Sequence, residues 1–171
     1  MKIFLIGLPG SGKSTLGVQL AQLLTFDFLD TDELIVRTES MTINEIFQQY
    51  GEDHFRKIEN ATLKQLGTLS NTVISTGGGL PCFYDNMDLI LSMGFSIYLN
   101  VAPEVIAERL YSVNDQTRPM VKGKSKEEML AFLIQKYDER KGTYQKANLE
   151  ISESTTADEI VELLKAQKVI F

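Results

Sequence analysis

Gly7-Leu8-Pro9-Gly10-Ser11-Gly12-Lys13-Ser14 fills every fixed position of the pattern G-x-x-x-x-G-K-[ST]. The chemistry such a run performs is phosphate binding. Glycines let backbone N–H groups curl inward around phosphate oxygens, and a helix that starts at the end of the run adds its dipole. Lys13 is placed to reach β- and γ-phosphates, and the Ser14 hydroxyl to ligate Mg²⁺. The nucleotide-binding run is therefore Gly10, Ser11, Gly12, Lys13, Ser14 and Thr15. A second cluster, Asp30-Thr31-Asp32, offers two carboxylates two residues apart. One can face a metal, through water, while the other orients and accepts the proton of a hydroxyl. The same cluster also suits a helix cap, and the two roles are compatible. Gly77-Gly78-Gly79 would let backbone approach a ligand closely, or simply turn the chain. Arg56 lies three residues before Glu59, so on a helix the two share a face. Two converging arginines suit a carboxylate, because guanidinium binds it with a planar fork of donors. By spacing alone, Arg56 reads equally as a helical ion pair, and Arg140, among Lys and Glu, as solvated surface.

These residues need elements to hold them. Lys2–Ile6 is a short apolar run, and Lys13–Leu24 carries Leu16, Leu20, Leu23 and Leu24 at helical spacing. Thr31 or Asp30 is expected to cap a helix from Asp32 to about Arg37. Thr42–Tyr50 and Asp53–Leu69 follow as helices, then Thr72–Ser75 as a strand. Phe95–Leu99 is a strand, Pro103 opens a helix to about Tyr111, and Ser125–Lys146 is a long helix. Leu149–Ile151 and Ala157–Ala166 close the chain as strand and helix. Residues 113–124 are polar, carry Gly and Pro, and are expected to form a mobile lid. The alternation predicts an α/β fold of the P-loop type: a three-layer sandwich with a mostly parallel sheet of about five strands. Ligands in such folds bind at the carboxyl ends of strands. The chemistry-bearing residues follow Ile6, Leu29 and Ser75, as that rule requires.

The 171 residues suit one domain, and 43% apolar with 23% charged residues is ordinary for a soluble protein. No stretch approaches a membrane span. The N-terminal apolar run breaks into Gly and Lys without a cleavage pattern. One cysteine, Cys82, permits no internal disulfide, so a reducing cytoplasm is expected. A net charge of −6 argues against nucleic acid as the main partner. The single histidine, His54, is expected at the surface or in packing rather than in catalysis. The chain lacks the N-K-x-D guanine-reading motif of GTPases and is too short for an ATPase with an added domain. Small-molecule kinases are the natural class at this length.

Taken in order, GLPGSGKST, LDTD, INEIFQQYGEDHFRKIE, STGGGL, TRPM and YDERKGTY make the chain resemble the shikimate kinase family over nearly its whole length. The resemblance implies ATP-dependent phosphorylation of the 3-hydroxyl of shikimate, with Mg²⁺ as cofactor. It implies that Lys13 and Ser14 serve nucleotide and metal, with Asp30 near the metal. Asp32 would bind the acceptor hydroxyls as the candidate base. Arg56 and Arg140 would hold the substrate carboxylate, and Gly78 and Gly79 would present backbone N–H groups. Arg118 would close over the phosphates, and Arg109 would stack on adenine. Met120 and Val36 depart from the family's common Leu and acidic residue. A monomer is expected. The alternatives are another P-loop small-molecule kinase, acting on gluconate or a nucleoside monophosphate, and an ATP-binding sensor without turnover.

Overall fold

The computed structural model describes residues 1–112 and 125–170. The expected lid, with Arg118, lies outside the described residues. Five strands form one sheet: β1 (Lys2–Ile6), β2 (Asp27–Asp30), β3 (Thr72–Ser75), β4 (Phe95–Asn100) and β5 (Leu149–Ser152). All are parallel, in the order β2-β3-β1-β4-β5. The chain leaves β1 toward β2 and β3, then returns across β1 to β4. That reversal opens a crevice at the carboxyl end of β1, where α/β sheets bind ligands.

The helices are α1 (Lys13–Leu24), α2 (Thr31–Glu39), α3 (Ile43–Tyr50), α4 (Glu52–Gln65), α5 (Asn86–Met93), α6 (Pro103–Ser112), α7 (Lys126–Tyr144) and α8 (Ala157–Ala166). No helix among the described residues is long and apolar enough to cross a membrane. Three helices begin with reciprocal capping boxes, Thr42 with Glu45, Ser125 with Glu128 and Thr156 with Glu159. Each satisfies backbone donors that a helix start leaves open.

Two refinements to the expected elements follow from local chemistry. The cap of α2 is Asp30, whose side chain accepts from the N–H groups of Asp32 and Glu33. Thr31 is instead inside the helix, and its Oγ1 accepts from the Gly77 N–H at 2.9 Å. Helix α5 was not anticipated: its eight residues bury only Asn86, Met87 and Ile90, and no side chain caps it. Such a short apolar run carries little periodicity.

The main core is the sheet, with Ile3, Phe4, Leu5, Ile6 and Ile74 fully buried. A second, smaller core joins Ile35 of α2, Ile46 of α3 and Phe55 of α4, with Met41, Phe47 and Ile58 against it. This second core props α4 beside the strand ends, and Arg56 follows Phe55 directly.

Candidate active site

The phosphate loop spans the turn from β1 into α1. Gly10 has φ of +82°, the left-handed region, and a Cβ there would lie 2.9 Å from Ile106. Conformation and space both demand glycine. Lys13 is buried, and its Nζ donates to the carbonyls of Gly7 at 3.0 Å and Leu8 at 2.8 Å. The ammonium is thus drawn across the loop that is built to surround phosphate. Ser14 Oγ donates to Asp30 Oδ2 at 2.6 Å and lies 3.0 Å from Ser75 Oγ. The parallel register sets Asp30 opposite Ser75, which explains why one hydroxyl can reach both. Asp30 Oδ1 meanwhile accepts from Asp32 N at 2.9 Å. One carboxylate therefore caps α2 and faces the loop hydroxyl at once.

Asp32 sits in the first turn of α2, where the cap aims it along the strand ends. A Cβ on Gly77 would lie 2.5 Å from Asp32 Oδ1 and 3.1 Å from Glu59 Oε1. A Cβ on Gly78 would meet Pro9 of the phosphate loop at 2.5 Å, and one on Gly79 would collide with the Arg56 guanidinium. The three glycines are thus close-approach positions, each against a different part of the site.

Arg56 is buried, and Glu59 shares its face as the spacing suggested, with Nη1 donating to Glu59 Oε2 at 2.7 Å. Glu52, one turn earlier, was not anticipated. It accepts from Arg56 Nε at 3.1 Å and Nη2 at 2.7 Å. The guanidinium carbon stands 4.1 Å from the Phe83 ring centre, a stacked cation–π contact. Of five guanidinium donors, these bonds use three. One donor on each terminal nitrogen is not used by these bonds.

Arg140 was readable from spacing alone as surface. It is buried instead, on the inward stripe of α7 with Met129, Leu133 and Tyr144. Its Nη1 is buried and has no hydrogen-bond partner. A buried unsatisfied donor on a cation is costly, and such an atom marks a place for an anion. Tyr144 ties the same region down by donating its hydroxyl to the Gly78 carbonyl. Glu59 lies among these charges. Burial pushes its carboxyl up to about 7, against the opposing pull of Arg56 and Arg140.

Arg109, at the end of α6, donates to the Ser11 carbonyl at 3.4 Å. It lines a cleft of about 430 Å³ with Gly10, Ser11, Thr15 and the 153–156 loop. That loop was not anticipated as part of the site. Its only sequence signal is a Ser/Thr-rich stretch between β5 and the Thr156 cap. His54 is exposed, and its ring meets that of Tyr50 in a tilted contact with ring centres 4.8 Å apart. Cys82 is half-buried, and burial pushes its thiol up.

The site thus brings together Gly10, Ser11, Gly12, Lys13, Ser14, Thr15, Asp30 and Arg109 at one end. Asp32, Arg56, Gly78, Gly79 and Arg140 gather at the other. The family profile described as shikimate kinase matches residues 9–168. A shikimate kinase of Clostridium botulinum (strain Loch Maree / Type A3) is 40% identical over 166 residues, covering 97% of this chain and 95% of the relative. One from Bacteroides fragilis (strain YCH46) is 41% identical over 148 residues, covering 86% of this chain and 82% of the relative. The crystal structure of shikimate kinase from Bacteroides thetaiotaomicron superposes with a TM-score of 0.90 at 35% identity, covering 99% of both chains. The enzyme of Acinetobacter baumannii, solved in complex with shikimate, gives a TM-score of 0.88 at 31% identity, covering 99% of this chain and 95% of that one. With a phosphate loop, an acidic pair and a paired-arginine cradle in one crevice, the chain belongs to the shikimate kinase family.

Proposed function

We propose that this protein transfers the γ-phosphoryl group of ATP to the 3-hydroxyl of shikimate, giving shikimate 3-phosphate, a step toward chorismate and the aromatic amino acids. The observation that carries this reading is the acceptor cradle. Arg56 and Arg140, whose buried Nη1 has no partner, both face Glu59, and Asp32 approaches that same carboxyl beside Gly77. A carboxylate on one side of a ring and a hydroxyl on the other would satisfy both ends.

Asp32 hydrogen-bonds the acceptor hydroxyl, aims its oxygen at the γ-phosphorus and receives its proton. The P–O bond to ADP breaks as the new one forms, and ADP leaves. The transition state is loose, so positioning matters more than early deprotonation. Lys13 turns from its loop carbonyls to the β- and γ-phosphates, and the loop amides complete the charge stabilisation. Gly78 and Gly79 bring backbone N–H groups to the acceptor. Arg118, assigned by the family resemblance, closes over the phosphates. Arg109 and the 153–156 loop enclose the adenine. Ser14 and Asp30, hard oxygen donors 2.6 Å apart, fit Mg²⁺, which keeps waters and phosphate oxygens and needs no dedicated protein cage. Bound there, Mg²⁺ would neutralise phosphate charge. The same reading expects a monomer working in the cytoplasm.

The test is coupled ADP release with shikimate, gluconate, AMP and CMP, with the product located by NMR. Turnover with shikimate alone, and phosphate on the 3-hydroxyl, is expected. Release driven by gluconate or a nucleotide instead, or by nothing, would overturn the reading in favour of another kinase or an ATP sensor.

A further inference from the structure

Among the described residues, carboxylates crowd the arginines of the acceptor cradle. Arg56 faces Glu52 and Glu59, each 2.7 Å away. Glu59 and Asp32 approach each other beside Gly77, where one point lies 2.5 Å from Asp32 Oδ1 and 3.1 Å from Glu59 Oε1. From α7, Arg140 also faces Glu59, and Cys82 approaches from the turn after β3. Glu59 is thus held by Arg56 and Arg140 and has a second carboxylate, Asp32, beside it. Glu52 has 55% of its side chain exposed, so water screens it. Glu59 has 2% exposed, and nothing but its neighbours can balance it.

We propose that Glu59 takes up a proton when a carboxylated acceptor docks on Arg56 and Arg140, so that capture of the acceptor is coupled to protonation of the cradle. This rests on the functional reading above. The incoming carboxylate is a further anion close to Glu59, and it shares the Arg56 guanidinium with it. Repulsion between two buried like charges is poorly screened. A proton drawn from solvent removes it, and no proton is taken from the substrate hydroxyl, which remains the business of Asp32. A protonated carboxyl keeps an accepting oxygen. Oε2 can therefore go on holding Arg56 Nη1 at 2.7 Å while Oε1, on the Asp32 side, carries the proton. Glu59 is in this sense a positioning residue: it holds the arginine in both states and changes charge between them.

The linkage has a definite sign. The carboxyl of the free site titrates near 7, and in the complex it titrates higher. Affinity for the acceptor is therefore flat below about pH 7. Above that it falls by up to tenfold per pH unit, until the complexed carboxyl also loses its proton.

Calorimetry of shikimate binding to the enzyme with ADP, in buffers of different ionisation enthalpy, reads the proton directly. Close to one proton taken up per shikimate at pH 8, declining toward none at pH 5.5, is expected. Glu59→Gln should abolish the uptake and flatten the pH dependence of KM. The wild-type enzyme provides a second arm: methyl shikimate, a neutral ester, should bind without uptake. Shikimate binding without uptake at pH 8 overturns the proposal. So does uptake that persists in Glu59→Gln, which would move the proton to Asp32, or equal uptake with the ester. If shikimate does not bind at all, the functional reading falls and the proposal with it.

Discussion

Arg140→Met separates a residue kept for a ligand from one kept for the fold. Methionine retains most of the stem length and apolar contact of arginine but no donor. In the wild type, Arg140 Nη1 is buried without a partner. A buried unsatisfied group costs about 1–3 kcal/mol, and the substitution removes that cost. The opposing losses are the attraction of Arg140 for Glu59, the smallest of the influences on that carboxyl, and its interaction with the Tyr144 hydroxyl. The net expectation is a variant as stable as the wild type or more so. For a domain of this size, 1 kcal/mol moves Tm by roughly 2–4 °C. Substrate binding should respond the other way. A hydrogen bond to a charged group contributes about 1.5–3 kcal/mol, so KM for shikimate should rise about 10- to 150-fold, with little change in ATP affinity.

Arg56→Met is the control. It should raise KM similarly, yet lose stability, because Arg56 is already bonded to Glu52 and Glu59 and stacked on Phe83. Thermal unfolding and steady-state kinetics on both variants suffice. A fall in Tm for Arg140→Met would show that the residue is satisfied within the fold. An unchanged KM would show that it does not touch the acceptor. Either result refutes the reasoning, and a matched stability loss in both variants would erase the distinction.

Asp32→Asn should lose turnover about 10²-fold or more, on general-base magnitudes, with nucleotide affinity measured by calorimetry nearly unchanged. Asp30→Asn should lose activity that added Mg²⁺ partly restores; equal rescue of both variants would contradict the division of labour. Gly78→Ala should cripple the enzyme, since its Cβ meets Pro9 at 2.5 Å, whereas Gly142→Ala in α7 meets nothing within 4 Å and should stabilise by about 1 kcal/mol. Denaturant midpoints rank the two, and a tolerated Gly78→Ala would break the link between turn and phosphate loop. Glu59, raised from 4.5 to about 7, favours the protonated folded state, so its contribution is full below pH 4.5 and lost as pH rises through 7. The loss is about 3 kcal/mol, and chemical denaturation from pH 4.5 to 8 should show a decline that Glu59→Gln removes.

The sequence was most legible where chemistry and backbone geometry are written in the same residues. The phosphate loop needs its glycines for shape and Lys13 for charge, so eight consecutive positions announce it. Ala157–Ala166 was bounded correctly because Thr156 and Glu159 close a capping box at its start. Glu59 followed from helical spacing, and the same rule applied four residues backward would have found Glu52. Arg140 resisted for a physical reason. Its neighbours Lys136, Asp138, Glu139 and Lys141 pair with one another on the outer face. A charged segment of that kind looks solvated throughout. Only the stripe Met129, Leu133, Arg140, Tyr144 shows that the arginine faces inward, and it is visible only if a cation is admitted to an apolar face. The 153–156 loop offered only its Ser/Thr-rich stretch, because its place beside Arg109 depends on the order of the strands.

The two ends of the crevice are built on different supports, and the glycine turn after β3 is what holds them in register. The phosphate loop belongs to β1 and the main core. The acceptor cradle belongs to α4 and the smaller core of Ile35, Ile46 and Phe55. In-line transfer tolerates little error in the distance between them. Gly77 donates to Thr31 of α2, Gly78 abuts Pro9 of the loop, and Gly79 abuts Arg56 of α4. Tyr144 of α7 then holds the Gly78 carbonyl, beside Arg140. Three consecutive residues therefore touch α2, the phosphate loop and Arg56 of α4 in turn. A side chain at any of them would push one partner away from the other two. The absence of side chains at Gly77, Gly78 and Gly79 is thus a distance constraint on phosphoryl transfer, imposed by packing rather than by any polar group.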